Sequence, residues 1–160
     1  MESNQTAYCK TPIGSAKIVG NELGISSITV IDDEIETSKN ISVFLKDCVQ
    51  QLDEYFNGER TEFSIKLNPK GTAFQKKVWN ELLNIPFGKT RSYLEQTKKI
   101  GDVKAIRAVA SANGKNPIWI IIPCHRVIGS DGSMTGYAGE IWRKKWLLAH
   151  ENPVKQQTLF

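Results

Sequence analysis

Apolar and polar residues trade places along this chain in two rhythms. From residue 14 to residue 31 the rhythm is short. "GSAKIV" and "GISSITVI" have strand-like composition, and Gly20-Asn21-Glu22-Leu23-Gly24 between them has turn chemistry, so the pattern predicts a β-hairpin. The spacing then lengthens. Ile41, Leu45, Cys48, Leu52 and Tyr55 recur at steps of three and four, which marks one apolar helix face, with Cys48 as a core residue on it. "EFSIKL", residues 62–67, returns to alternation with Phe63, Ile65 and Leu67 on one side and predicts a further strand. "NPKG", residues 68–71, reads as a linker. The first domain is therefore a small α/β unit over residues 1–67, an antiparallel sheet with a helix.

From residue 72 onward the longer rhythm dominates, and a second, mostly α domain is expected over residues 72–160. "TAFQ" is a capping box, Thr72 with Gln75, opening a helix that shows Phe74, Val78 and Leu82 on one face and stops near Pro86 and Gly88. "SYLE" is a second capping box, Ser92 with Glu95, placing Tyr93 in the first turn of a short helix that ends at Gly101. Asp102 can cap another helix from about Val103 to Asn113, with Ile106, Val109 and Ala110 pointing inward. Two short helices across a glycine resemble a helix-turn-helix of winged-helix type. After "GKNP" comes an isoleucine-rich strand, then a glycine-rich loop, then a closing helix through Trp146 to His150.

Charge sharpens this division. Residues 1–67 carry 6 Lys/Arg and 11 Asp/Glu, and residues 68–160 carry 15 and 6, so an acidic half of −5 precedes a basic half of +9. A basic domain of this kind suits a polyanion. Lys104, Arg107 and Ser111 share one face of the second helix of the pair, with a small-residue stripe of Ala105, Ala108 and Ala112 beside it. Small residues let a helix backbone approach a nucleic-acid groove, and the cations meet phosphates or fill a gap. Alanine is also simply a good helix former. The longest apolar run, Ile118 to Ile122, is strand-sized, so no membrane span is expected, and the N-terminus lacks a signal-peptide pattern. Three unevenly spaced cysteines without Cys-x-x-Cys make no disulfide framework and point to a reducing, cytoplasmic setting.

The chemistry gathers in "IIIPCHRVIG", residues 120–129, where Cys124, His125 and Arg126 stand side by side. A thiol attacks only as thiolate, with a base at hand. In an extended segment Cys124 and His125 point to opposite faces, so proton transfer needs a bent backbone or a bridging water. The imidazole needs a carboxylate to hold its tautomer, and among the six acids of the basic half Glu151, at the end of the closing helix, is the candidate. Arg126 supplies either positive potential or a structural bond. His150 is the alternative histidine, and Cys124 could instead be a buried small hydrophobe. No cysteine and histidine stand at zinc-ligand spacing, and no metal or cofactor is expected. "GSDGSMTGYAG" is not a phosphate-binding loop, but it can present backbone groups to a flat polar ligand with Tyr137 alongside.

"NPIWIIIPCHRVIGSDGSMTGYAG", with "KAIRAVASANGKNP" before it and "KKWLLAHE" after, resembles the O6-alkylguanine-DNA alkyltransferases over about residues 70–151. The first half is similar to that family only in size and strand–helix order. The resemblance implies DNA repair by irreversible transfer of an alkyl group from O6-alkylguanine, and in some members from alkylthymine, in double-stranded DNA to Cys124, once per molecule. It implies His125 as base through a water, Glu151 as its orienter, and Tyr93 as proton donor to a ring nitrogen of the leaving guanine. Arg107 would fill the stack after base flipping, beside Lys104, Ala108 and Ser111 on the DNA-facing helix. Asn116 would brace the turn before the active segment. Tyr137, the Ala138 N–H and the carbonyls of Cys124 and Val127 would line the guanine pocket. Such a protein acts as a cytoplasmic monomer, associated with the nucleoid when on DNA. Three positions bear on this. Ala138 stands where some relatives have serine, the first half has no histidine for the zinc some relatives bind, and the active position holds cysteine rather than the tryptophan of non-repairing relatives. Two rivals remain: a DNA-binding sensor of alkylated guanine, which leaves Cys124, His125 and Glu151 without purpose, and a cysteine hydrolase, which has no need of Arg107.

Overall fold

The computed structural model describes residues 3–134 and 136–152. Residues 153–160, assigned above to the second domain, and Thr135 of the glycine-rich loop lie outside the described residues. The described residues form two compact units, one up to Lys70 together with Pro117–Trp119, the other of Gly71–Asn116 and the described residues from Ile120 to Asn152.

The first unit is an antiparallel sheet in the order β1 (Gln5–Thr11), β2 (Gly14–Asn21), β3 (Gly24–Ile31), with helix α1 (Val43–Phe56). The hairpin of β2 and β3 lies where the alternation places it. β1 carries a weak pattern, because its two buried positions are the small residues Ala7 and Cys9. Register sets one apolar face: Ala7 pairs with Ile18, Cys9 with Ala16, Ile18 with Ile28 and Ala16 with Val30. The buried stripe of α1 is Leu45, Cys48, Gln51, Leu52 and Tyr55, and Ile41 precedes the helix, whose N-cap is Ser42. Each large aliphatic buried there contributes roughly 1.5–3 kcal/mol.

"EFSIKL" keeps its alternation but forms no strand. Its one bridge joins Leu67 to Ile25, with Ile25 N–H donating to Lys66 O at 2.9 Å. The segment is held instead by α1, where Gln51 and Ser64 exchange hydrogen bonds of 2.9 and 3.0 Å. Gly24 is required at this crossing: its φ is +130°, and a Cβ would sit 2.8 Å from Lys66 O. Ile118 makes a second bridge, to Ile28, so the outer edge of β3 is covered by two short contacts.

The second unit holds α2 (Ala73–Leu82), α3 (Tyr93–Ile100), α4 (Ile106–Gly114) and α5 (Ile141–Glu151). Both capping boxes are complete. Thr72 accepts from Gln75 N–H at 3.1 Å while Gln75 accepts from Thr72 N–H at 2.9 Å, and Ser92 and Glu95 do the same at 3.0 Å. Asp102 caps a 3-10 turn, Val103–Ala105, that runs into α4. Two helix faces differ from expectation. Phe74 is exposed and Trp79 takes its place in the core, anchored by an indole N–H bond of 2.8 Å to Ala112 O. Ala110 is exposed, and Val109, Ala112 and Asn113 are the buried positions of α4. α3 and α4 are joined by a reciprocal amide pair, Gln96 with Asn113 at 2.7 and 2.8 Å, each donating to and accepting from the other in the helix-turn-helix core.

The isoleucine run is not a strand. Ile118, Ile120 and Ile122 are buried to 1% exposure or less, but the segment is a series of turns, and Ile120 has φ +74°. Apolar runs report burial, and ladder pairing is a separate matter. A β-branched residue in that backbone region is strained, of order 1–3 kcal/mol, and tight burial holds it there. The bend delivers Cys124–Arg126 as a 3-10 turn, followed by β5 (Val127–Ile128), which pairs in parallel with β4 (Arg91–Ser92). Among the described residues, no helix is long and apolar enough to cross a membrane.

Candidate active site around Cys124

The two-residue ladder brings the site together. Arg91 pairs with Val127 and Ser92 with Ile128, so the first residue of α3, Tyr93, and the turn Cys124–Arg126 emerge from adjacent strands. The turn is bent rather than extended, and Cys124 and His125 do not lie on opposite faces of a strand.

Cys124 is 7% exposed, and Asn116 holds it. The Asn116 amide donates to Ile122 O at 2.8 Å and to Cys124 Sγ at 3.3 Å. Burial pushes the Cys124 thiol up; the Asn116 hydrogen bond and the Lys144 charge act in the other direction without overcoming it. The resting group is therefore a thiol, and the thiolate requires a base.

The candidate base is His125 of the same turn, and its partner Glu151 stands at the end of α5. His125 is fully buried, and its Nε2 lies 2.7 Å from Glu151 Oε2. Arg126 grips the same carboxylate from two directions, Nε to Oε1 at 2.7 Å and Nη2 to Oε2 at 3.0 Å, and its third donor, Nη1, reaches Ile85 O at 2.7 Å. Burial raises the Glu151 carboxyl, but His125 and Arg126 outweigh it and hold the group far below the usual carboxylate range. Burial also dominates at His125, pulling its pKa down despite Glu151. An ionised Glu151 only accepts, so His125 Nε2 carries the proton and Nδ1 is the basic nitrogen. Nδ1 is buried, and among the described residues it has no hydrogen-bond partner. Of the two alternatives for Arg126 both are present: it makes the structural bond that fixes Glu151, and its charge helps to lower the His125 pKa. His150 is placed elsewhere, stacked on Trp146 at 4.9 Å.

Tyr93 is half-buried, and burial followed by the neighbouring Cys124 raises its phenol, so the group stays protonated. Its Oη lies close to the glycine-rich loop: a Cβ on Gly136 would stand 3.2 Å away. Tyr137 is 8% exposed and held well above its ordinary value by burial. Ala138 is exposed. The Val127 side chain is fully buried, so only its main chain can meet a ligand, and its N–H donates to Cys124 O. Lys104, Arg107, Ala108 and Ser111 are all exposed along the 3-10 turn and α4.

The pattern reading missed Lys144. It has no exposed surface, its Nζ stands 5.8 Å from the Tyr93 ring centroid, and it acts on Cys124 electrostatically. Burial lowers its pKa and the Cys124 charge opposes that. "RKK" reads as solvated surface, but Lys144, Leu147 and Glu151 lie three and four residues apart on the buried face of α5, the one signal in the sequence that could have exposed it. Among the described residues, no group of three or more His, Cys, Asp or Glu side chains is arranged to hold a metal ion.

Comparison with known proteins matches two family models in succession. One, described as the ribonuclease-like domain of 6-O-methylguanine DNA methyltransferase, covers residues 5–69, and one described as its DNA binding domain covers residues 73–153. A methylated-DNA–protein-cysteine methyltransferase of Methanosarcina acetivorans is 45% identical over 154 residues, covering 91% of this chain and 96% of that one. The Mycobacterium tuberculosis protein of the same name is 45% identical, with 88% of each chain covered. The crystal structure of M. tuberculosis O6-methylguanine methyltransferase superposes with a TM-score of 0.84 at 42% identity and 94% coverage of both chains. A structure of the M. tuberculosis protein in complex with DNA gives 0.82 at 44% identity and 91% coverage of both. The chain belongs to the methylated-DNA–protein-cysteine methyltransferase family.

Proposed function

We propose that this protein repairs DNA by moving the alkyl group of O6-alkylguanine in double-stranded DNA onto its own Cys124, once and irreversibly. The observation that carries the reading is the buried set of Cys124, His125, Glu151 and Arg126, in which one carboxylate fixes the tautomer of one imidazole next to one thiol. His125 Nδ1 takes the Cys124 proton through a bridging water. The sulfur pair attacks the alkyl carbon, the carbon–oxygen bond breaks, and its electrons pass to the guanine. Tyr93 Oη gives its proton to a guanine ring nitrogen, and the proton held by His125 returns to Tyr93 through solvent. Lys144 stabilises the thiolate while it exists. The thioether product is inert at neutral pH, so each chain acts once.

Reaching the carbon requires extruding the base, at a cost of a few kcal/mol that Arg107 offsets in part by filling the stack. Lys104, Ala108 and Ser111 complete the surface that meets DNA, and Asn116 keeps the turn in register. Tyr137, the Ala138 N–H and the main chain of Cys124 and Val127 receive the guanine. In this reading residues 72–160 form the DNA-binding acceptor domain behind a 68–71 linker, and the protein works as a cytoplasmic monomer at the nucleoid. The test is transfer of labelled methyl from an O6-methylguanine duplex to the protein. Native chain should become labelled and Cys124→Ser should not, whereas labelling of both would remove Cys124 from the reaction.

A further inference from the structure

A second feature lies in the first unit. A cavity of about 650 Å³ opens between α1, the edge strand β1 and the segment that follows the sheet. Three elements each place a lysine on it: Lys10 from β1, Lys39 from the 36–41 segment and Lys46 from α1. All three are exposed. They are half of the six Lys and Arg side chains in residues 1–67, a region with a net charge of −5, so their gathering at one opening is not the expected scatter.

The opening is held in shape. Tyr8 N–H donates to Ser38 Oγ at 2.9 Å, Ser38 N–H to Tyr8 O at 3.0 Å, and Lys10 N–H to Thr37 Oγ1 at 3.2 Å, which pins the Lys39 segment along the free edge of β1. On α1, Lys46, Val49, Asp53 and Phe56 follow one another at helical spacing along the same wall. The floor is apolar, with Ile41, Val49, Leu52 and Phe56. Two acids bear on the charge: Asp53 at the wall, and Glu36, 3.5 Å from Lys10, so three lysines against two carboxylates leave the opening with one net positive charge. The Lys10–Glu36 pair is exposed and worth little, so a phosphate can compete for Lys10.

A cationic rim above an apolar floor with an aromatic ring does not match a duplex, whose bases are stacked inward. It matches an unpaired strand, whose phosphates follow the cations while a base lies against the ring. We infer that this groove binds a short single-stranded stretch of nucleic acid, phosphates on Lys10, Lys39 and Lys46 and a base against Phe56. This goes beyond the repair reading and does not depend on alkyl transfer.

The experiment uses the full chain and a fluorescent oligothymidylate of about eight nucleotides. Lys10→Gln/Lys39→Gln/Lys46→Gln should weaken its binding at least about tenfold at low salt and make the log–log salt slope shallower by about 2, three contacts at roughly 0.7 each. Phe56→Leu should weaken binding by about tenfold and leave the slope unchanged. In the native chain, amide resonances of Lys10, Lys39, Val49 and Phe56 should move during the titration. Transfer from an O6-methylguanine duplex should be unaffected in the lysine variant, and a chain that proved inactive in transfer would leave the titration readable. An unchanged salt slope, or unmoved resonances at the groove, would overturn the proposal. Equally tight binding of thymidine monophosphate would assign the groove to a free nucleotide and overturn the strand.

Discussion

Glu151→Gln tests the relay with a change of one atom. In the native site Oε2 accepts from both His125 and Arg126, and Oε1 accepts from Arg126. An amide has one acceptor oxygen, so whichever way it turns, its NH2 faces a donor. With oxygen toward Arg126 Nε, the NH2 meets His125 Nε2 and forces the proton onto Nδ1, the nitrogen needed as base. With oxygen toward His125, the NH2 opposes Arg126 Nε–H. The lost charge matters as well. At 2.7 Å and an effective dielectric near 20, a carboxylate attracts the imidazolium formed during proton transfer by about 6 kcal/mol, and burial of the pair takes part of this back. A net loss of roughly 3–5 kcal/mol corresponds to a rate about 10²–10⁴-fold lower. Breaking the buried pair also costs stability, about 3–5 kcal/mol, which lowers Tm by roughly 10 °C in a chain of this size. The assay is single-turnover transfer from an O6-methylguanine duplex at a temperature where circular dichroism shows the variant folded. A folded variant reacting within about threefold of the native rate would refute the tautomer argument.

The remaining predictions concern other parts of the site. Lys144→Gln should move the pH of half-maximal Cys124 alkylation by iodoacetamide upward by about one unit, and an unmoved profile would take Lys144 out of the thiolate's environment. Arg107→Ala should slow transfer from duplex DNA by more than tenfold (order of magnitude, from the cost of base extrusion) while transfer from a free O6-substituted guanine stays near native; equal slowing of both would give Arg107 a different role. Stability should fall on the acid side. His125 is lowered from 6.5 on folding, so the unfolded chain takes up that proton first, and Glu151, lowered from 4.5, repeats the effect at lower pH. Tm should therefore be level above about pH 7 and decline progressively below about pH 6.5, with the steeper loss below about pH 4.5. A Tm that rose on acidification would contradict a neutral His125.

The parts legible in the sequence were those set by local chemistry. The capping boxes at Thr72 and Ser92 depend on four consecutive residues and need no partner from elsewhere. Helix faces were less secure, because several stripes fit one helix: Phe74 and Trp79 both suit α2, and only packing against Ala112 decides between them. The Ile118–Ile122 run signals burial correctly but says nothing of hydrogen bonding, so its turns and the left-handed Ile120 were hidden. Within the site, Cys124 and His125 stand together in a motif, and Glu151 was reached through the scarcity of acids and the family resemblance. Arg126 needed geometry to show that it exerts both a structural bond and a field effect. Lys144 is masked by its neighbours Arg143 and Lys145, which make the stretch resemble solvated surface, and only its spacing to Leu147 and Glu151 marks the buried face of the helix.

The claim on which the account rests is that a protected thiol becomes the permanent resting place of the lesion's alkyl group. Intact-mass measurement with peptide mapping, after exposure to excess O6-methylguanine duplex, addresses it directly. The account predicts a gain of one methylene per chain, located on Cys124, with Cys9 and Cys48 unchanged and no second turnover. Tight binding of that duplex with the chain mass unchanged, or a methyl found on another residue, would contradict it.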